Sequence, residues 1–169
     1  VSCPNVVGLT SLQDISFLGE IVDKLLELRM YYDRYKPILL KVSPDLAHQQ
    51  LDEIIDYCLR SGIDGIVAGN TTRSRDGITS ISKEKIEAIG NGGMSGAPVH
   101  KKNLELVKYV HSRSEGKLPI IGVGGIMSPE QAKAMLDAGA SLVEIYSGFI
   151  FEGPALIKNI IKYLENDAK

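Results

Sequence analysis

The stretch LPIIGVGG, residues 118–125, decides how the chain is read. It is a short apolar run without polar alternation, the pattern of a strand buried on both faces of a parallel sheet. It ends in glycines. SPEQAKAMLDAGA follows, placing Ser128 as a helix N-cap and Pro129 at the first helical position. Working outward, the same order recurs. PILLKVS (37–43), DGIVAGN (64–70) and SLVEIYSG (141–148) are further short runs rich in Ile, Val or Leu. Helical patterns separate them. Residues 11–32 carry Ile15, Leu18, Val22, Leu25, Leu26 and Met30 at helical spacing. Residues 45–62 carry Leu51, Ile54, Ile55, Cys58 and Leu59 on one face, and stop at Gly62. HKKNLELVKYVHSRS carries Leu104, Val107 and Val110, and GPALIKNIIKYLEN closes the chain. Strands alternating with helices imply right-handed βαβ units and a parallel sheet. Residues 71–99 form a long polar insertion with Gly77, Gly90, Gly92, Gly93 and Gly96. Insertions of that length in compact domains are usually functional or mobile.

The 169 residues suffice for one domain, and 44% hydrophobic with 24% charged residues is ordinary for a globular protein. A formal net charge of -2 without a basic run argues against nucleic acid as a partner. No apolar stretch reaches the roughly 18 residues of a membrane span, and no signal-peptide pattern is read. Two cysteines, Cys3 and Cys58, make no disulfide framework. A reducing, cytosolic setting is the simplest expectation. Cys58, at helical spacing among apolar residues, is expected in the core. His48, His100 and His111 are scattered, expected to be solvated, and form no metal constellation.

Chemistry collects at the strand ends. The first run closes on Lys41, Ser43 and Asp45, the second on Asn70, Thr71 and Thr72. The third closes on Gly122, Gly124 and Gly125, the last on Tyr146, Ser147 and Gly148. The opening VSCPN fits the same template: a strand stub, then Cys3 and Asn5. A (β/α)8 barrel and an open doubly wound sheet both place their ligands at this rim. GVGGI and YSG bare backbone amides, and helix starts follow at Ser128 and near Gly153–Pro154, which suits a phosphate. Glycines that only make tight turns are the plainer alternative. No GxGxxG dinucleotide fingerprint is present. Lys41 is either an end-of-strand lysine reaching solvent or a cation fixed beside an electron-rich ring or anion. Asn70 and Thr71 either cap a turn or hydrogen-bond a planar polar ligand.

SCPN, KVSPD, GNTT, GGMSGAPV, LPIIGVGGI and AGASLVEIYSGFIFEGP, in this order, resemble the dihydroorotate dehydrogenase family over essentially the whole chain. IYSGFIFEGP is similar to the membrane-associated, quinone-using class 2 branch. The resemblance implies a (β/α)8 TIM barrel of roughly twice this length. Residues 1–169 then read as its C-terminal half: four complete parallel strands with their helices, plus a strand stub. It implies FMN as cofactor, dihydroorotate and orotate as substrate and product, and a quinone as electron acceptor. It also implies a cytoplasmic enzyme, peripheral on the cytoplasmic face of the membrane at full length. Cys3 matches the family's base, which takes the C5 proton of dihydroorotate. Asn5, Asn70 and Thr71 match substrate-binding positions. Lys41 matches the lysine at the flavin pyrimidine edge. Gly69, Gly96, Gly125, Tyr146 and Ser147 match FMN-contacting positions, the last three around the 5′-phosphate. Two departures stand out. Cysteine as the base is typical of the soluble class 1 branch, where class 2 members usually carry serine. Gly69 stands where many class 2 members have threonine. Two other readings remain open at this point: another FMN-barrel pyrimidine oxidoreductase, similar to a dihydropyrimidine dehydrogenase domain, or a non-catalytic half barrel. A half barrel exposes sheet edges and an apolar inner face, so it is expected to self-associate or to pair with its missing half.

Overall fold

The computed structural model describes residues 2, 9–76, 78–79 and 81–167. Among them lies one four-stranded, all-parallel sheet in the order β1-β2-β3-β4, with β1 Leu39–Val42, β2 Gly65–Ala68, β3 Ile120–Val123 and β4 Leu142–Glu144. The register sets Lys41 beside Val67, Val67 beside Ile121, and Val123 beside Glu144. Sequential order with parallel pairing is the βαβ arrangement expected from the alternation. Each strand is shorter than its apolar run, because the run's polar and glycine end turns away into the following loop.

Among the described residues, seven α-helices connect and flank the strands: α1 Ile15–Arg29, α2 His48–Ser61, α3 Lys83–Ile89, α4 His100–Arg113, α5 Pro129–Asp137, α6 Ser147–Glu152 and α7 Ala155–Asp167. Short 3-10 turns precede α1 (Leu9–Gln13) and α4 (Ala97–Val99). The terminators act as expected. Gly62 takes the left-handed conformation (φ 80°) after α2, and the Ser128 hydroxyl accepts from the Gln131 amide with Pro129 opening α5. The closing helix α7 begins just after Gly153 (φ 65°), as expected, and α6 is a further short helix before it, not expected from the sequence. The polar insertion is not wholly irregular, since α3 lies inside it, capped by Ser82.

The core lies between one face of the sheet and the helices. Leu40, Val42, Ile66, Ala68 and Ile120 meet Leu51, Ile54, Ile55 and Cys58 of α2, Val107 and Val110 of α4, and Met135 of α5. Cys58 is buried and its thiol is pushed up to about 12 by burial, an inert core position. The expected apolar stripe of α1 is only partly core: Leu18 and Val22 are buried, whereas Leu25 is 44% and Met30 84% exposed. Leu59 also leaves the expected α2 face and is exposed. The helices meet the sheet along a narrower line than the apolar stripe. Across the β1–α1 side, Asp64 draws the Arg29 guanidinium to 2.7 Å and caps the Ile38 amide at 2.6 Å. No described helix is long and apolar enough to cross a membrane, and no described cluster of His, Cys, Asp or Glu has a metal-binding arrangement.

Candidate functional site

Period-2 alternation sends Leu39, Lys41, Val67, Ile121, Val123, Leu142 and Glu144 to the face away from the helices. At the C-terminal rim of that face lies a cleft of about 320 Å³. It is lined by Lys41 from β1, Asn70 and Thr71 after β2, and Ser95 and Gly96 before α4. Gly124 and Gly125 after β3, and Glu144, Tyr146 and Ser147 around the end of β4, complete it. Seven of the residues singled out from the sequence therefore converge: Lys41, Asn70, Thr71, Gly96, Gly125, Tyr146 and Ser147. Gly69 is not among the lining residues. Cys3 and Asn5 lie outside the described residues.

Glycine at three positions in the loops after β2 and β3 is required by close approach. A Cβ on Gly125 (φ 70°) would lie 2.6 Å from the Gly96 carbonyl oxygen and 2.7 Å from the His100 amide nitrogen. Gly69 (φ 126°) and Gly124 (φ 117°) close on Asn103, a fully buried side chain of α4. The Asn103 carbonyl accepts from the Asn70 amide at 3.3 Å, and its NH2 donates to the Asn70 carbonyl at 3.1 Å. A Cβ at Gly69 would come within 2.0 Å of the Val123 carbonyl oxygen and 2.7 Å of Asn103 Oδ1, so threonine has no room there in this backbone. Gly69 thus shapes the rim from behind.

Asn70 is engaged by the protein itself. Its Nδ2 donates to the Ser2 carbonyl at 2.9 Å and the Ser2 hydroxyl at 2.8 Å, while its Oδ1 accepts from the Thr71 amide at 2.8 Å. Ser2, the residue before Cys3 in the sequence, is buried against this rim. Thr71 Oγ1 is buried without a hydrogen-bond partner among the described residues, as is His100 Nδ1. A buried hydroxyl on a cleft wall with no partner among the described residues calls for an explanation, and a polar group of a ligand would supply one. His100 departs from the expected solvated state: it is half-buried, and burial holds its imidazole below the ordinary histidine range against an opposing hydrogen bond with the Gly124 backbone. His48 and His111 are exposed, as expected.

The insertion after β2 is held by a polar network that the sequence did not reveal. Asp45, just after β1, accepts from the Thr72 hydroxyl at 2.5 Å, the Arg73 amide at 2.8 Å and the Lys102 ammonium. Burial pushes the Asp45 carboxyl up, but the bonds from Lys102, Thr72 and Arg73 outweigh it and hold it below its usual range. Thr72 and Met94 close the insertion as an isolated antiparallel bridge. Arg75 donates to the carbonyls of Thr72, Arg73, Ser74, Gly90 and Gly92 inside the excursion.

The chain matches the family model described as dihydroorotate dehydrogenase over residues 1–167. It belongs to the dihydroorotate dehydrogenase family. Relatives named dihydroorotate dehydrogenase (quinone) include one from Proteus mirabilis, 42% identical over 168 residues (97% of this chain, 49% of that protein). Another, from Christiangramia forsetii, is 45% identical over 160 residues (95% and 46%). The crystal structure of a ligand-free dihydroorotate dehydrogenase from Eimeria tenella superposes with a TM-score of 0.88 at 28% identity, covering 98% of this chain and 49% of that one. The chain spans about half the length of the relatives it matches. Four parallel strands alternating with helices agree with half of a family barrel.

Proposed function

We propose that this dihydroorotate dehydrogenase family chain supplies the C-terminal half of an FMN-dependent barrel that oxidises dihydroorotate to orotate in pyrimidine synthesis and passes the electrons to a quinone. The observation that carries this is the convergence of Lys41, Asn70, Thr71, Gly96, Gly125, Tyr146 and Ser147 on one cleft at the strand C-termini. The residues present suit FMN. Gly124 and Gly125 line the cleft without side chains, so a phosphate there could approach backbone amides. The partnerless Thr71 hydroxyl and the Lys41 ammonium add a donor and a cation. Bound FMN would supply two-electron redox chemistry.

The chain's own residues do the rest. Gly96, Gly125, Tyr146 and Ser147 hold the cofactor, and Lys41 favours negative charge placed beside it. Asn70 and Thr71 orient the substrate, and Asn70 exchanges its Ser2 bonds for the substrate's oxygens. Cys3 takes the C5 proton, and Asn5 binds the substrate. The enzyme works in the cytoplasm at the membrane surface, where its quinone is dissolved. The sheet edges β1 and β4 have no described partner strand, and the inner face is apolar below the cleft; the chain pairs there with a complementary half barrel or with itself.

The test is anaerobic. Dihydroorotate added to the holoenzyme should bleach the flavin absorbance. Cys3→Ala should slow that bleaching by roughly 10²–10⁴-fold without altering the bound-flavin spectrum. Faster reoxidation by a soluble quinone than by fumarate or NAD supports the acceptor. Bleaching by dihydrouracil but not dihydroorotate would move the chain to the pyrimidine-base alternative. Protein with no flavin would remove the reading. For the pairing, a monodisperse monomer of this chain by sedimentation would overturn it.

A further inference from the structure

Lys41 and Glu144 are the two charged residues lining the cleft, and their side chains meet: Lys41 Nζ lies 3.3 Å from Glu144 Oε1. They stand on the two edge strands, β1 and β4. Three strand spacings of about 4.8 Å would separate a flat sheet's edges by roughly 14 Å. Contact therefore requires both long side chains to lean toward each other across this face. We propose that Glu144 is a positioning residue: it holds the Lys41 ammonium over the cleft and offsets its charge, so that reduction of the bound flavin is less favourable than Lys41 alone would make it. This rests on the flavin reading above.

Stability does not account for the contact. The two side chains are 39% and 45% exposed, and exposed pairs add little to folding. Their effect lies in the field at the cleft. A ligand that fills the cleft displaces water, and both charges then act through a weaker dielectric. A cation favours electrons arriving on a nearby ring, and a carboxylate opposes them. Glu144 thus divides the influence of Lys41 between a carboxylate and the cofactor. Glutamine at 144 would keep the shape and an acceptor oxygen but remove the charge.

The measurement is the midpoint potential of bound flavin in the holoenzyme, for wild type, Glu144→Gln, Glu144→Asp, Lys41→Met and the Lys41→Met/Glu144→Gln double variant. Glu144→Gln should raise the ratio of reduced to oxidised flavin at a fixed potential about tenfold, an upward shift of about 30 mV for a two-electron couple. Lys41→Met should shift it downward. Glu144→Asp should stay within threefold of wild type, and the double variant should show a smaller glutamine effect than the single one. Thermal melts of Glu144→Gln matching wild type would separate field from fold. A flavin-loaded Glu144→Gln protein within threefold of wild type would overturn the role of Glu144 and leave the flavin reading standing. Wild type without flavin would overturn both.

Discussion

The two faces of the sheet differ in how far this chain finishes them. Toward the helices, Leu40, Val42, Ile66, Ala68 and Ile120 are all buried. On the opposite face, on the two edge strands β1 and β4, Leu39 is 38% and Leu142 62% exposed. The same residue type, on strands of the same sheet, is core on one side and surface on the other. Burying one leucine is worth about 1.5–3 kcal/mol, so the helix face holds the fold of this chain while the inner face leaves Leu39 and Leu142 open. The site sits at the rim of that unfinished face. The residues that would do chemistry therefore contribute little to folding, and those that fold the chain lie away from the cleft.

That contrast can be broken in four ways. The largest effect belongs at the seam between the faces. Gly69→Ala forces a Cβ against the Val123 carbonyl and Asn103 at positive φ, and should cost more than about 3 kcal/mol; a normal chemical-denaturation midpoint would refute the packing described at the rim. Next, Ile66→Ala on the helix face opens a cavity and should cost about 2–5 kcal/mol, read from the same melts. The acid limb of the stability curve follows. Asp45 is held below the usual carboxylate range, so the native state binds fewer protons than the unfolded chain. Its contribution is present above the unfolded value of about 3.9 and is lost as pH falls through the lower folded value. Asp45→Asn should flatten that limb; identical limbs would show that the network does not anchor the insertion. Smallest is Leu142→Ala on the inner face, expected within about 0.5 kcal/mol in the isolated chain. A cost equal to that of Ile66→Ala would mean that the inner face is already covered, in a dimer for example.

Much of this was legible in the sequence because it is local. Four unalternating apolar runs, the Gly62 stop and the Ser128–Pro129 start describe parallel strands and their helices without any knowledge of tertiary contacts. The rim residues followed, since each lies just past its own strand. What escaped is non-local or unpatterned. Helix α3 buries none of its residues, so it carries no apolar stripe to read. The exposure of Leu25 and Met30 depends on how α1 packs against α2, which periodicity does not encode. The Lys41–Glu144 contact joins positions 103 apart in sequence and depends on sheet curvature. Asp45 could be seen as a polar strand end, but its grip on Thr72, Arg73 and Lys102 required the loop's path. Asn103 looked like one more polar residue on a helix; its burial is the signal, and burial is not written in a single asparagine.

Asn103 has one more consequence. Its amide fits between the turns that follow β2 and β3, bonded to both backbone groups of Asn70 and closed in by Gly69 and Gly124. It works as a spacer gauge. The width of the cleft between those turns is fixed by the dimensions of one carboxamide, and a side chain one methylene longer, glutamine, would reset the opening without touching any residue that lines it.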